Sequence, residues 1–252
     1  MPVFVLSEKL GFPPPRLATP EGLLAVGGDL NEERLVLAYR TGIFPWYSEG
    51  EPILWWSPDP RLVLYPDQFH LPRSLSRTIR REGYEISMDR AFAEVITECG
   101  RLRHERGEGT WIVPEMVEAY GRLHRSGLAH SVEVWAAGDL VGGLYGVSLG
   151  AGFFGESMFS RRPDASKAAL AALVCHIRGI GLHWIDCQVT TGHLLRMGAR
   201  EIPREQYLAE LQHAMRAPTR SGRWSWTPPP GFPGTCSGGG VMDKRCAAGR
   251  PQ

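Results

Sequence analysis

Residues Ser131–Ser160 read SVEVWAAGDLVGGLYGVSLGAGFFGESMFS, and this stretch decides the fold. Ser131–Trp135 alternates, with Val132 and Val134 on one face. Ala137-Gly138-Asp139 is a turn, and Leu140–Leu149 and Gly152–Phe159 follow as two more strands. Three strands joined by such short connections predict an antiparallel meander. Downstream, a helix is expected from Asp164 to about Arg178, then a strand over Leu182–Thr190. Closing helices are expected at His193–Met197 and Arg204–Met215. Upstream, helices fit Pro72–Arg81, Arg90–Cys99 and Pro114–His124. In the last of these Pro114 opens the first turn, Glu115 and Glu118 precede Arg122 and Arg125, and Gly127 ends it. Helices, three strands, helix, strand, helices: this order predicts an α+β domain with a mixed sheet.

The first 65 residues are different in kind. They are rich in Pro, Gly and Trp and carry one clear helix, Leu30–Gly42, with Asp29 or Asn31 available as cap and Glu32 and Glu33 in its first turn. We therefore expect a small N-terminal domain over 1–65, a larger domain over 66–217, and a Pro/Gly-rich disordered tail over 218–252. The chain has 252 residues, of which 43% are hydrophobic and 22% charged, which excludes disorder as a whole. The net charge of +1 argues against non-specific coating of nucleic acid but leaves room for a local basic patch. No apolar run is long enough for a membrane helix. Five scattered cysteines without a C-x-x-C pair fit a reducing cytoplasm and no thiolate metal site.

Glycine motifs for nucleotides are not expected: no dinucleotide fingerprint opens a helix after a strand, and no P-loop is present. No nucleophile elbow or H-E-x-x-H helix is expected either, and the eight histidines are dispersed. The strand Trp184-Ile185-Asp186-Cys187-Gln188 is more informative. Alternation places Asp186 and Gln188 on one face of an otherwise apolar strand, so they need partners or a chemical role. They could cap a helix or pair with an arginine. Glu156, among Phe153, Phe154, Met158 and Phe159, could likewise be the buried partner of Arg161. Trp46, Trp55, Trp56 and Trp111 could pack loops onto a core or form a platform for a base. Arg73, Arg77, Arg80 and Arg81 share an arc of roughly 100° at helical spacing, with no acid between residues 70 and 81. That face is either solvated and balanced by Glu82 and Glu85, or it follows a phosphate backbone.

Taken together, several segments resemble the leucyl/phenylalanyl-tRNA–protein transferases. They are Gly22–Leu30, Gly42–Tyr47, Pro52–Arg61, Gly109–Ile112, Ala129–Trp135, Val141–Val147, Gly155–Ser160 and Ile185–Gln188. The segments are colinear and the resemblance spans roughly residues 1–217. It implies a C-terminal acetyltransferase-like (GNAT) domain behind the small N-terminal one. It also implies transfer of Leu or Phe, and Met less well, from aminoacyl-tRNA to proteins beginning with Arg or Lys, which are thereby marked for degradation. In the family, Asp186 and Gln188 would be the catalytic pair, with Gln188 orienting the attacking amine, Asp186 supporting it, and Glu156 holding a substrate amine. Leu144, Phe153, Met158, Ile177 and Ile185 would line the donor side-chain pocket, Leu144 and Ile177 replacing an expected Met and Phe. Trp46 and Trp111, with Tyr39 and Tyr120 nearby, would meet the terminal adenosine. Arg73, Arg77, Arg80 and Arg81 would meet the acceptor stem. The resemblance implies no cofactor, no metal, no membrane and a cytoplasmic monomer. A coenzyme A-dependent N-acyltransferase of the same fold is the alternative, but Ser160–Lys167 lacks the Gly-rich pyrophosphate loop such enzymes carry. A non-catalytic RNA-binding module would use the arginine face and the tryptophans alone.

Overall fold

The computed structural model describes residues 3–105, 107 and 111–233. A small sheet forms first, from β1 (Phe4–Leu6), β2 (Leu23–Gly27), β3 (Phe44–Pro45) and β4 (Leu54–Trp56), in the order β1-β2-β4-β3. Helix α1 (Glu32–Arg40) lies between β2 and β3. Its buried Arg34 ties the N-terminal segment down: Nε donates to Asp29 at 3.2 Å and NH2 donates to the Ser7 carbonyl at 3.1 Å. Trp55 is fully buried, its indole N–H donating to the Gly27 carbonyl at 2.8 Å.

The larger unit is a seven-stranded mixed sheet. Along the chain come β5 (Arg61–Leu64), α2 (Arg73–Glu82), β6 (Glu85–Met88), α3 (Phe92–Glu105) and α4 (Pro114–Arg125). Then follow β7 (Ala129–Ala136), β8 (Asp139–Leu149), β9 (Gly152–Ser160), α5 (Ala165–Ile180) and β10 (Trp184–Gln188). Helix α6 (Gly192–Arg196), β11 (Arg200–Ile202) and α7 (Arg204–Ala214) close the unit. The strand order is β11-β5-β10-β9-β8-β7-β6. The meander expected over residues 131–159 is β7, β8 and β9, each pair antiparallel. The crossover α5 then brings β10 parallel to β9. Its small residues let it approach closely: a Cβ added to Gly142 of β8 would lie 2.5 Å from the Ala165 methyl. The α+β class with a mixed sheet is as read from the sequence.

Three strands of the large sheet were not anticipated, nor were β1 and β2 of the small one. β5, β6 and β11 are only three or four residues long, and neither length nor alternation marks them. One of them moves a boundary. β5 pairs antiparallel with both β10 and β11, so residues 61–64, expected in the N-terminal unit, belong to the large sheet. The two units also share one buried cluster, in which Leu24, Leu35 and Trp55 join Val95, Leu123 and Tyr207.

Residues 218–233, expected to belong to the disordered tail, are instead packed in place. Residues 218–233 run over the large domain with Trp224 and Phe232 buried. Trp224 stacks on His130 with ring centres 3.9 Å apart, and its backbone N–H donates to Asp89 Oδ2 at 2.6 Å. Composition hid this because two aromatic anchors among prolines and glycines leave no periodic signal. Residues 234–252 of that expected tail lie outside the described residues. Among the described residues, no helix is long and apolar enough to cross a membrane.

Candidate active site

The site lies where β9 and β10 part. Their parallel pairing runs through Trp184–Gly152, Ile185–Phe153 and Asp186–Phe154. Beyond that point each strand is irregular. On β9, Tyr145 faces Ser157 and Gly146 faces Gly155, so Glu156 is the extra residue of a bulge. On β10, Asp186 faces Val63 and Gln188 faces Leu62, so Cys187 is extra there. Gln188 also has φ of +62°, a left-handed conformation uncommon for a non-glycine residue. Bulges re-aim side chains. Here they break the simple alternation expected for this strand and turn Asp186 and Gln188 toward different partners.

Asp186 is fully buried and fully used. Arg61 grips it with Nε to Oδ1 at 2.8 Å and NH2 to Oδ2 at 2.6 Å. The Tyr207 hydroxyl donates to Oδ2 at 2.8 Å, and the Gln188 backbone N–H donates to Oδ1 at 2.9 Å. Of the two plain readings of Asp186, pairing with an arginine is the one observed. Burial opposes the charge on Arg61, but Asp186 outweighs it and holds the guanidinium pKa above its ordinary value. Through that last bond Asp186 also fixes the backbone of Gln188.

Glu156 is held without a guanidinium grip of this kind. Its Oε1 accepts from the Tyr39 hydroxyl and from Gln188 Nε2, both at 2.8 Å, and its Oε2 accepts from the Tyr120 hydroxyl at 2.9 Å. The two tyrosine hydroxyls also hydrogen-bond to each other. Burial pushes the Glu156 carboxyl up to about 7, against the pull of its three donors. Arg161, the alternative partner, instead pairs at the surface with Glu98 and Glu105. Because a carboxylate oxygen takes the amide N–H of Gln188, the carbonyl oxygen of that side chain is left for another donor.

A cavity of about 280 Å³ opens at this point. Leu144, Met158 and Ile185 of the expected donor pocket line it, together with Glu156 and Gln188. Phe153 and Ile177 do not: both are fully buried behind the wall. Phe153 packs so tightly on β8 that a Cβ added to Gly146 would sit 2.6 Å from its ring. Leu170 of α5 and Leu194 of α6 line the cavity in addition. Tyr39 and Tyr120 also lie behind the wall, 1% and 0% exposed, where they serve the Glu156 carboxylate and cannot touch a ligand directly. Trp46 and Trp111 stand at the cavity edge, ring centres 5.7 Å apart and nearly perpendicular. Trp46 is 39% exposed, whereas Trp55 is core, which settles Trp55 alone in favour of packing. The Arg103 guanidinium lies 4.1 Å over the Trp111 ring and also lines the cavity. Arg73, Arg77, Arg80 and Arg81 are all exposed on α2, and Arg81 pairs with its neighbour Glu82 at 2.9 Å.

Sequence reasoning missed Arg61, Tyr207, Arg103 and Leu170. Arg61 sits in the quoted segment Pro52–Arg61, and the cost of burying Asp186 was the available signal that a cation must be near. Two glycine spacings have formal matches that carry no such chemistry. Gly146-Val147-Ser148-Leu149-Gly150 fits G-x-S-x-G, but Ser148 is a buried residue of β8 and no helix follows it. Gly150–Gly155 fits G-x-G-x-x-G, but it leads into strand β9 instead of opening a helix.

Comparison with known proteins identifies the family. The family profile described as leucyl/phenylalanyl-tRNA protein transferase matches residues 63–212, and the profile for its N-terminal domain matches residues 28–59. Proteins named leucyl/phenylalanyl-tRNA–protein transferase are similar over most of their length. The one from Desulfatibacillum aliphaticivorans is 57% identical over 89% of this chain and 97% of its own. The one from Syntrophobacter fumaroxidans is 61% identical over 84% and 90%. The one from Myxococcus xanthus is 56% identical over 89% and 97%. Among solved structures, a GCN5-related N-acetyltransferase from Sphaerobacter thermophilus is 17% identical and aligns with a TM-score of 0.37 over 75% of this chain and 60% of that one. That likeness is too low to carry an assignment.

Proposed function

Because this chain belongs to the leucyl/phenylalanyl-tRNA–protein transferase family, we propose a specific reaction for it. As a cytoplasmic monomer, it moves Leu or Phe, and Met less well, from aminoacyl-tRNA to the α-amino group of proteins beginning with Arg or Lys, marking them for degradation. The observation that carries this reading is the Gln188 carboxamide. Glu156 takes its N–H at 2.8 Å, and a backbone bond to Asp186 holds its main chain at 2.9 Å, beside an apolar cavity with aromatic edges.

The chemistry is ester aminolysis. The α-amine nitrogen bonds to the ester carbonyl carbon, the bond from that carbon to the ribose oxygen breaks, and the proton lost by the amine ends on that oxygen. An α-amino group titrates near 7.7–8.0, roughly, so a useful fraction is neutral at pH 7. The ester is already activated, and positioning supplies much of the acceleration. Gln188 orients the amine by accepting one of its hydrogens at the carboxamide oxygen. It cannot act as a base, because an amide does not titrate in this range. Leu144, Met158, Leu170 and Ile185 receive the donor side chain. An apolar pocket of this kind separates similar side chains by only ~1–3 kcal/mol. Trp46 and Trp111 offer their faces to the terminal adenine, and the arginines of α2 meet acceptor-stem phosphates, which carry little sequence information. Coenzyme A is disfavoured as donor. The N-terminus of α5, where its pyrophosphate would sit in acetyltransferases, is preceded by the Asp164 carboxylate, paired with Lys167 at 2.5 Å.

The test is incubation of labelled Phe-tRNA with a protein bearing N-terminal Arg and with an N-terminal Ala control. Label in the first alone is expected; label in both or in neither overturns the reading. Replacing Arg73 and Arg77 by Ala should weaken tRNA binding and lower its salt slope by about two. An unchanged slope removes α2 from the tRNA site.

A further inference from the structure

The cavity beside Gln188 has two unlike sides. On β8 and β9, Leu144 is paired with Met158, and the adjacent pair is Tyr145 with Ser157. Successive residues of a strand point to opposite faces of the sheet. All four line the cavity, because it opens where the sheet parts. Leu144 and Met158 form its apolar side with Leu170 and Ile185. Tyr145 and Ser157 bring two hydroxyls to the other side. Neither is used by an apolar donor side chain.

Neither hydroxyl has a hydrogen-bond partner among the described residues, and both oxygens are buried. Tyr145 is 0% exposed and Ser157 9%. The Tyr145 ring is held edge-on by Phe92 and Tyr120, with ring centres 5.9 Å and 5.7 Å away, so the phenol cannot swing off to another acceptor. The Cys99 thiol, a weak donor, approaches Ser157 without reaching hydrogen-bond geometry. A buried hydroxyl left unpaired costs stability, and two side by side on a cavity wall call for an explanation.

Their position says which part of a ligand they meet. Arg103 links the phenol to the tryptophan pair: its guanidinium lies 4.1 Å over the Trp111 ring, and its charge acts on Tyr145. Burial, and then Glu156, push the Tyr145 phenol well above its ordinary value, so it keeps its proton and can donate. The reacting end lies elsewhere. Gln188 is bonded to Glu156, whose oxygens accept from Tyr39, Tyr120 and Gln188. On the tryptophan side the donor presents its terminal adenine, with flat faces for stacking and an edge that carries a ring-nitrogen acceptor beside an amino donor. Two hydroxyls, each able to donate and to accept, match such an edge.

We infer that Tyr145 and Ser157 hydrogen-bond the polar edge of the donor's terminal adenine, its ring nitrogen and 6-amino group. The choice of adenine rests on the transferase reading above. The test is calorimetry on the full chain with Phe joined by an amide to 3′-amino-3′-deoxyadenosine, a compound that cannot transfer. Two counterparts lack the 6-amino group or the 2′-hydroxyl. The wild-type protein should bind the adenosine compound about fivefold more tightly than the one without the amino group. Tyr145→Phe with Ser157→Ala should bind the adenosine compound about tenfold more weakly and lose that preference. The thermal midpoint of the ligand-free double variant should be unchanged or higher, because two unpaired buried hydroxyls are gone. A midpoint lower by several degrees would show both hydroxyls already satisfied within the folded protein, and would overturn the inference. So would a preference for the amino group that survives in the double variant. Loss of preference for the 2′-hydroxyl alone would put the pair on the ribose and overturn it as well. Transfer to N-terminal Arg by a double variant with wild-type affinity breaks this assignment only. Selective adenosine binding without any transfer breaks the transferase reading and leaves the assignment standing.

Discussion

Asp186 and Glu156 are both buried carboxylates at the opening between β9 and β10, and they are held in opposite ways. Asp186 lies in the bidentate grip of Arg61, with Tyr207 and the Gln188 N–H filling its remaining acceptor sites. Glu156 has two tyrosine hydroxyls and one amide. The first arrangement keeps a charge buried by neutralising it, and a grip of that geometry is rigid. The second leaves the charge only partly offset, so burial dominates and the carboxyl titrates at about 7. Gln188 sits between them: its backbone belongs to the Asp186 site and its carboxamide to the Glu156 site. One carboxylate fixes where Gln188 is, and the other fixes which way its amide faces.

The largest effect should come from breaking the ion pair. Arg61→Ala leaves Asp186 buried without its cation and should cost about 3–5 kcal/mol in denaturant unfolding. Arg61→Lys should recover only part of this, because an ammonium lacks the fork. A loss below about 1 kcal/mol would mean that the pair does not hold the strand. Gln188→Ala should retain the fold and lower kcat for transfer by on the order of a hundredfold, the size seen when one oriented polar group is lost. Transfer at the wild-type rate would remove Gln188 from the chemistry.

The Glu156 site predicts a pH dependence with a definite sign. Its carboxyl releases its proton near 4.5 in the unfolded chain and near 7 in the folded one. Between those values the native state binds more protons, so this group's contribution to stability falls as pH rises through the window. Glu156→Gln should remove that slope, and the stability difference between wild type and variant should shrink by a few kcal/mol from pH 4.5 to 7.5. A pH-independent difference would show that Glu156 does not titrate there. The smallest effect is expected for Tyr39→Phe. Losing one donor to the charged form should raise the Glu156 midpoint further, by about one pH unit, visible as a shifted midpoint in the same stability profile. No shift would assign the hydrogen bond no weight in the titration.

Much of the fold was legible because it rests on periodicity. The β7–β9 meander, the crossover α5 and the helix α2 appear within a few residues of where alternation and helical spacing put them. The site was legible in its residue types: Asp186, Gln188 and Glu156 stood out because polar groups in apolar strands are costly. Their division of labour was not, because both strands are bulged and Gln188 is left-handed, and neither feature has a signature in a single chain. Arg61, 125 positions before Asp186, could be paired with it only by the register of β5 on β10. Phe153 and Ile177 carry the right chemistry for a pocket wall, but alternation cannot say whether an apolar face meets a cavity or a core.

By itself the sequence determined the α+β class, the cluster of four arginines on one helix face, and the presence of costly buried acids. Those follow from local spacing and from the price of taking charge out of water, which depend on the chain alone. Only the tertiary structure decided that β5 belongs to the large sheet and that Trp224 closes over His130. It alone decided that Arg61 and Tyr207 hold Asp186 while Gln188 lines the cavity. These depend on which distant segments meet. That is settled by pairing across the sheet and by packing between units, for which local sequence carries no record.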